Sequence, residues 1–303
     1  MVFKRFSFVA LFGGLMLVSS LSAETSHSRR ERAIGGRLFS RGKWPSLVLL
    51  RAAVVTERNG LEFTTKQSYC GGVLINRHWI LSAAHCYVNH RLNGLGEAQN
   101  WKARLGTVDY STSEYHKLRN DMGCSVGDDE MREWEIDIKK IVLHPSFDNR
   151  NGPSLDDIAL IKLSRPAPKI SRIEPIALPS QTNTSFPSRG QMCTTMGWGC
   201  TSRGGGVSLR AVQIHLPIYS NRLCRKMYKV FSLDKNFCAG YRSRRINIST
   251  CRGDSGGPLL CTSGSQYTLA GILHGGRQTS RGSYPRIFQR VQHYLPWIQS
   301  VIS

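Results

Sequence analysis

The chain has 303 residues, of which 40% are hydrophobic and 20% are charged, and its formal net charge is +21 at pH 7. This hydrophobic content excludes a chain that is disordered over most of its length. Nine cysteines favour an oxidising compartment with disulfide bonds. The basic surplus makes a polyanion such as a sulfated glycan a candidate partner, whereas nucleic acid is not expected because no recognition motif is present.

The N-terminus predicts an export signal. Two basic residues precede an apolar run from Phe6 to Val18, and small residues follow as far as Ala23, which is the pattern of a secretory signal peptide. We therefore expect residues 1–23 to be removed, with the cut after Ser22 or Ala23. An N-terminal anchor is the alternative, but the run is short for a membrane span. The product is expected to be secreted, extracellular or held in a secretory granule, without membrane association.

Residues 33–303 predict one all-β domain. Short apolar runs recur between glycine, proline and asparagine, among them SLVLLRAAVV, YCGGVLI, WILSAAHC, IALIKL and LAGILH. Their length and β-branched content are typical of strands. Only the final segment, VQHYLPWIQSVIS, has apolar residues three and four apart and predicts a helix. The polar stretch 120–135 predicts a surface loop.

Three segments carry residues suited to nucleophilic catalysis: ILSAAHC with His85, DDIALIKL with Asp157, and CRGDSGGPLLC with Ser255. A serine hydroxyl is a weak nucleophile and needs a nearby base that is oriented by a carboxylate. A sharp glycine-rich turn lets backbone N–H groups face a developing oxyanion. A lone buried histidine or an apolar DIAL strand is usually structural, whereas GDSGGP is highly specific by itself, and the three segments together favour a catalytic triad.

These motifs resemble the chymotrypsin/trypsin family of serine proteases. The likeness covers residues 33–303 and includes WP at 44–45, GWG at 197–199 and the closing YLPWIQSVI. The resemblance implies an all-β fold of two packed six-stranded antiparallel β-barrels with a C-terminal α-helix. The active site is then expected in the cleft between the barrels.

The resemblance also implies a role for each candidate site residue. His85 would act as general base and then acid, Asp157 would orient it, and Ser255 would attack the substrate. The backbone N–H groups of Gly253 and Ser255 would form the oxyanion hole. The resemblance thus implies a serine endopeptidase that acts on proteins or peptides through an acyl-enzyme, with no cofactor and no metal expected.

The segment RRERAIGG resembles the family's activation junction. Cleavage after Arg32 by an activating protease would release residues 24–32 as a propeptide, and the ammonium of Ala33 would pair with a buried Asp254. Since Ala33 is smaller than the family's residue, less apolar surface would anchor it. A merely polar leader is the alternative. The same burial disfavours integrin binding through the RGD tripeptide at 252–254, because an adhesion loop must be exposed.

Cysteine pairing is likewise implied by the resemblance. Three pairs are expected: Cys70–Cys86, Cys193–Cys261 and Cys224–Cys238. Cys251 matches a family cysteine whose usual partner position is Thr279 here. We expect Cys124 to pair with Cys200, which leaves Cys251 unpaired. Pairing of Cys200 with Cys251 is the alternative, since sequence alone does not decide connectivity.

In this family three positions shape the primary specificity pocket, and they are Ser249, Gly276 and Arg286 here. Ser249 stands where trypsin-like members carry aspartate, so cleavage after Lys or Arg is disfavoured. Arg286 replaces a glycine and could pair with a carboxylate, as in the granzymes that cleave after aspartate. We expect an acidic P1 residue. The alternatives are a small or apolar P1 with Arg286 folded aside, and a plugged pocket with little activity.

Further features of the sequence concern the catalytic aspartate, glycan attachment and an acidic segment. His274 stands where the family has a serine that helps to hold the catalytic aspartate. Asn183 and Asn247 begin sequons for glycans, and the acidic residues in 128–135 favour a solvated loop over a calcium site. Protein inhibitors are expected partners. The alternative function is a polyanion-binding protease homologue with weak or no activity, which the basic charge, His274 and Arg286 would favour.

Overall fold

The computed structural model describes residues 36–58, 62–88, 93–110, 134–148, 155–183, 185–200, 205–228, 231–243, 246, 248–276 and 284–303. The signal, the activation junction, Cys124, Asn247 and most of the predicted loop 120–135 lie outside these residues. The described part begins with a two-residue strand, β1 (Arg37–Leu38).

Six antiparallel strands of the N-terminal half close into a barrel. They are β2 (Leu47–Arg58), β3 (Glu62–Asn76), β4 (Trp79–Ser82), β5 (Trp101–Leu105), β6 (Trp134–Leu143) and β7 (Ala159–Leu163). The order around the barrel is β2, β3, β4, β7, β6, β5. Two short 3-10 helices, Ala84–Tyr87 and Ala98–Asn100, connect strands of this barrel.

The second sheet contains the other strands. They are β8 (Met192–Gly197), β9 (Val212–Pro217), β10 (Asn236–Ala239), β11 (Pro258–Ser263), β12 (Gln266–Gly275) and β13 (Arg286–Arg290). Together with β1 they run in the order β1, β9, β8, β11, β12, β13, β10. This sheet is open, but a β-bridge between Ile218 and Ala239 brings the end of β9 to β10. The expected all-β, two-barrel fold is therefore confirmed, with the second barrel only half closed.

Hydrophobic patterning explains why these segments form strands. In β6, Ile136 and Ile138 are buried while Glu135, Asp137 and Lys139 are exposed, which is the period of two of a strand with one face toward a core. By contrast β4 is buried throughout, and its continuous apolar run matches this burial. The strand begins at Trp134, so the last two residues of the predicted loop belong to β6.

The chain ends in the predicted helix, α2 (Val291–Ile302), which follows a shorter helix, α1 (Asn221–Met227). In α2 the buried side chains, Val291, Tyr294, Leu295 and Ile298, recur at the spacing of one helical face and join the core of the first barrel. Because α1 has only seven residues and buries only Cys224, it is too short to stand out by its apolar pattern, and the expectation of a single helix was wrong. Within the described residues, none of the helices has the length and apolar character that crossing a membrane requires.

Candidate active site

Strand pairing brings two of the candidate triad residues together. His85 lies in the 3-10 helix that follows β4, and Asp157 lies two residues before β7. The end of β4 pairs with the start of β7, with Ser82 opposite Ala159. A disulfide between Cys86 and Cys70 in β3 holds the His85 helix against the barrel. Residues that are 72 positions apart therefore meet at one end of the first barrel.

Asp157 holds His85 through two hydrogen bonds. The Nδ1–H group of His85 donates to Oδ2 of Asp157 at 2.6 Å, and the backbone N–H of His85 donates to Oδ1 at 2.7 Å. The Asp157 side chain is fully buried, whereas the His85 ring is 36% exposed. This geometry fixes the tautomer of His85 with its Nε2 available to accept a proton.

His274 supplies a third hydrogen bond to the same carboxylate. It lies near the end of β12 in the second sheet, and its Nδ1 is 2.5 Å from Oδ2 of Asp157. One oxygen atom of Asp157 therefore accepts hydrogen bonds from two imidazole rings, which belong to different sheets. His274 thus makes the contact that the family resemblance assigned to a serine at this position.

These contacts shift the pKa values of both Asp157 and His85. Burial alone would raise the pKa of the Asp157 carboxyl, but the charge of His85 and the hydrogen bonds from His274 and His85 lower it well below its usual range. Burial disfavours the imidazolium of His85, but the attraction and hydrogen bond of Asp157 outweigh this effect, so the pKa of His85 is raised. The pair is thus arranged to favour a carboxylate beside a basic imidazole.

The same three side chains are the described residues whose donor atoms come close enough to suggest a metal site, because one donor atom from each lies within 4.8 Å of the others. Two nitrogen or oxygen ligands of a tetrahedral zinc ion lie about 3.3 Å apart. The N···O distances from His85 and His274 to Asp157 are 2.6 and 2.5 Å, which are hydrogen-bond spacings. We therefore interpret the cluster as hydrogen-bonded.

Ser255 lies on a sharp turn before β11 that is bound to both sheets. Its carbonyl oxygen accepts a hydrogen bond of 2.7 Å from the N–H of Gly71 in β3, and the N–H of Gly256 donates to Leu273 in β12 at 2.9 Å. In the described part of the chain the Ser255 hydroxyl makes no hydrogen bond to His85; such bonds are often long before substrate binds. The turn nevertheless places the candidate nucleophile between the two sheets.

Glycine is required at Gly253, the residue two before Ser255. Its φ is +99°, and a Cβ there would lie 2.5 Å from the Tyr69 ring. The chain at this point has room only for backbone. Any other residue at 253 would therefore disturb the turn that carries Ser255.

Asp254, between these two residues, is turned inward and is 7% exposed. Its carboxylate accepts hydrogen bonds of 2.8 Å from the N–H groups of Gly199 and Cys251. Burial raises the pKa of Asp254 to about 6, and the two backbone donors only partly oppose this. An RGD loop with a buried aspartate cannot serve as an exposed adhesion site.

The predicted pocket residues meet around Arg286. Arg286 is 6% exposed. Its guanidinium donates from Nε to the Ser249 hydroxyl at 3.0 Å, from Nη1 to the Gly276 carbonyl at 3.0 Å, and from Nη2 to the Thr250 carbonyl at 2.7 Å. All three acceptors are neutral. Burial lowers the pKa of Arg286, an effect that Tyr228 and Asp254 oppose, and arginine stays charged at neutral pH.

Two residues of this pocket, Thr250 and Tyr228, were not predicted from the sequence. Thr250 accepts a bond through its carbonyl, a group that every residue type carries, so no sequence signal marks it. Tyr228 lies beside Gly276, where an added Cβ would be 3.0 Å both from its Oη atom and from Cδ of Arg286. Glycine at 276 is therefore what allows the arginine to lie in this position.

The cysteine pairs are Cys70–Cys86, Cys193–Cys261, Cys224–Cys238 and Cys200–Cys251. The first three are those that the family resemblance implied. The expectation that Cys200 pairs with Cys124 and leaves Cys251 unpaired was wrong. Hydrogen bonds from the Cys200 and Gly199 N–H groups to residues 252 and 254 bring these two segments together, a tertiary proximity that the linear spacing of cysteines does not reveal.

A comparison with protein families agrees with this arrangement. The family model described as Trypsin matches residues 52–298, which is most of the chain and includes the candidate triad. Members of this family are serine-type peptidases that hydrolyse proteins or peptides. The closed barrel, the second half-barrel and the C-terminal helix are those of this family's fold. The chain therefore belongs to the trypsin family of serine proteases.

Proposed function

We propose that this protein is a secreted serine endopeptidase made as a zymogen, in which His85, Asp157 and Ser255 form the catalytic triad. The observation that carries the proposal is the double hydrogen bond between His85 and Asp157, next to the turn that bears Ser255. A buried carboxylate, a fixed imidazole and a serine on a glycine turn between the two sheets are the three parts that acyl transfer needs.

In this mechanism the Ser255 hydroxyl attacks the substrate carbonyl while Nε2 of His85 accepts its proton. The oxyanion that forms lies against the N–H groups of Gly253 and Ser255. His85 then gives the proton to the leaving amine, and the acyl-enzyme remains on Ser255. A water molecule, deprotonated by His85, then attacks the acyl-enzyme, and the protonated His85 returns the proton to Ser255 as the carboxylic acid product leaves. Asp157 stays ionised throughout and stabilises the transient imidazolium.

The first test is covalent labelling by a serine-directed fluorophosphonate after verified cleavage at Arg32. We expect one adduct per chain at Ser255 and none in Ser255→Ala. Absence of an adduct in the cleaved wild-type protein would overturn the enzyme proposal.

For the P1 residue we propose an acidic preference selected by Arg286. Support comes from the buried guanidinium, whose three hydrogen bonds use three of its five N–H groups. Two N–H groups remain for a carboxylate, and a desolvated Arg–carboxylate contact is strong. The guanidinium also occupies space that a large aromatic P1 side chain would need, and its charge opposes Lys and Arg.

A peptide-library cleavage profile separates this preference from the two alternatives. Cleavage after Asp or Glu that is lost in Arg286→Gly would support the arginine as selector. Cleavage after small or apolar residues would mean that Arg286 moves aside when substrate binds. No cleavage above the Ser255→Ala control, despite fluorophosphonate labelling, would indicate a plugged pocket.

Activation is proposed to follow cleavage after Arg32 by another protease, with the new ammonium of Ala33 pairing with Asp254. A cavity of about 10 Å³ lies beside Asp254, between β8, β9 and the segment Ser249–Thr250, which is room for roughly one water molecule or ammonium group. A buried carboxylate next to such a cavity favours a cation there. A small residue such as Ala33 suits this limited space.

The remaining proposals concern the route and partners of the protein. Residues 1–23 would direct secretion, to the extracellular space or to a secretory granule. Asn183 is exposed and begins a sequon, so it is the proposed glycan site, with Asn247 as the second. Substrate-like protein inhibitors would bind the same cleft. Peptide mapping of the secreted protein, with and without glycosidase, tests the signal cut and both sequons.

A polyanion-binding homologue with little activity is the second candidate function. The observation that favours it is the exposed basic face of α1, which carries Arg222, Arg225 and Lys226. Retention on heparin above physiological salt, weakened more by Arg225→Ser with Lys226→Ser than by Lys139→Ser with Lys140→Ser on β6, would support a specific polyanion surface. Equal weakening by both pairs would indicate only diffuse charge.

A further inference from the structure

The disulfide between Cys200 and Cys251 joins the two chain segments that hold Asp254. Gly199, directly before Cys200, donates its N–H to Oδ1 of Asp254, and Cys251 itself donates its N–H to Oδ2, each at 2.8 Å. Both cysteines are buried and contact each other in a small cluster apart from the two main cores. The cross-link therefore lies directly between the two donors of one carboxylate.

Backbone hydrogen bonds extend this connection through the turn from Cys251 to Ser255, which we name the nucleophile turn. The N–H of Cys200 donates to the carbonyl of Arg252 at 2.9 Å, and the N–H of Asp254 donates to the carbonyl of Cys251 at 3.1 Å. The Cα of Gly199 also lies close to Gly253, 3.3 Å from where a Cβ of that glycine would be. Gly253 and Ser255, which would form the oxyanion hole, are thus each adjacent in sequence to a residue that is hydrogen-bonded to Cys200 or Cys251.

A covalent link at this position restricts the arrangements open to the turn. If the disulfide were absent, the two N–H donors would be held to Asp254 only by hydrogen bonds from segments 51 residues apart in sequence. With the disulfide, one donor cannot leave the carboxylate without moving the segment that carries the other. The disulfide therefore constrains the nucleophile turn independently of the chain's N-terminus.

We propose that the Cys200–Cys251 disulfide is a positioning element of the nucleophile turn, and that it makes the oxyanion hole less dependent on insertion of the Ala33 ammonium. This inference rests on the proposed function and deepens it. The small Ala33 side chain offers little apolar surface to drive insertion, and the disulfide compensates by joining the two segments that donate hydrogen bonds to Asp254. Cleavage should accordingly change activity less in the wild-type protein than in a variant that lacks this disulfide.

The test is a cycle of four proteins: cleaved wild type, uncleaved Arg32→Gln, and the same two forms carrying Cys200→Ala with Cys251→Ala. The rate constant for fluorophosphonate labelling of Ser255 is measured for each. Loss of an oxyanion donor slows acyl transfer by about 100-fold or more, so we expect the ratio of cleaved to uncleaved rates to rise by about 10-fold to 100-fold when the disulfide is removed. A purely structural disulfide would lower both rates together and leave the ratio unchanged.

Cys193→Ala with Cys261→Ala is the matched control, because that disulfide joins β8 to β11, while Cys200–Cys251 joins the segment after β8 to the segment before β11. The two disulfides close similar loops, with separations of 68 and 51 residues. An equal rise of the ratio in this control, or an unchanged ratio in the Cys200 and Cys251 variant, would overturn the inference. Should the double-alanine protein fail to fold, Cys200→Ala with Cys251→Val fills the buried space with more apolar atoms and is measured instead. A cleaved wild-type protein that does not label would refute the proposed function itself.

Discussion

His274 Nδ1 and Asp157 Oδ2 are 2.5 Å apart, although His274 lies in the second sheet and Asp157 lies just before β7 of the first barrel. This contact links the second sheet directly to the buried carboxylate that orients His85. It also changes the chemistry at that point, because a serine hydroxyl is replaced by a group that can carry a charge. The orientation of the candidate base thus depends on both halves of the fold.

Replacing His274 should show how much this second imidazole contributes. In His274→Ala the carboxylate loses one charge-assisted hydrogen bond, which is typically worth about 1.5–3 kcal/mol, so kcat/KM should fall by about tenfold to 100-fold. His274→Ser should recover part of the loss, since a hydroxyl can donate to the same oxygen. The measurement is peptide hydrolysis, with exposed His78→Ala as the control; equal activity of His274→Ala and wild type would contradict a positioning role.

The acid limb of activity should report the raised pKa of His85. Burial opposes its protonation, but Asp157 outweighs burial, so the imidazole stays protonated to a pH above its ordinary value of 6.5. Only the neutral form acts as base, and kcat/KM should therefore decline as pH falls below this raised pKa. In Asp157→Asn the midpoint should move to lower pH along with a large loss of rate. A midpoint that does not move would show that Asp157 does not control the titration.

Gly253→Ala should damage both stability and labelling. The positive φ alone makes alanine unfavourable by about 1 kcal/mol or more, and the added Cβ would also meet the Tyr69 ring. We expect fluorophosphonate labelling to slow by about 100-fold, because the oxyanion donors are displaced. Gly190→Ala is the control: its φ is +81°, and its Cβ would have no described neighbour within 4 Å. It should lose stability without losing labelling, and a matching loss of labelling would refute the assignment.

The stability of the uncleaved protein should fall as pH rises through the titration of Asp254. Its pKa of about 6 in the folded chain lies above the ordinary 3.8, so between these values the native state binds more protons than the unfolded state. The free energy of unfolding then decreases with rising pH, by about 3 kcal/mol in all for this shift. The loss begins near pH 4 and is complete somewhat above pH 6.

Urea unfolding of Arg32→Gln across this pH range, with disulfides intact, measures the effect. Cleaved protein should show less of it, because the Ala33 ammonium would favour the charged carboxylate. The same decrease in both forms would argue against pairing of Ala33 with Asp254.

Much of the fold could be predicted from the sequence because its signals are local. Alternating burial in β6 and the apolar periodicity of α2 follow directly from residue order, and the triad segments are recognisable by their neighbours. The short helix α1 was missed because its seven residues make only about two turns, too few for an apolar pattern to stand out. The half-open second sheet also has no signature in the runs that compose it.

The sequence by itself determined the candidate chemistry. Its motifs identify a histidine, an aspartate and a serine as a candidate triad, and they place an arginine where the family has glycine. Only the tertiary structure decided which groups meet. His274 reaches Asp157, Cys251 pairs with Cys200 rather than remaining unpaired, and Arg286 bonds to the Thr250 carbonyl. These contacts join residues that are distant in sequence, and some use backbone groups that all residues share. Their energies depend on distance and burial, which arise only when the two sheets pack together.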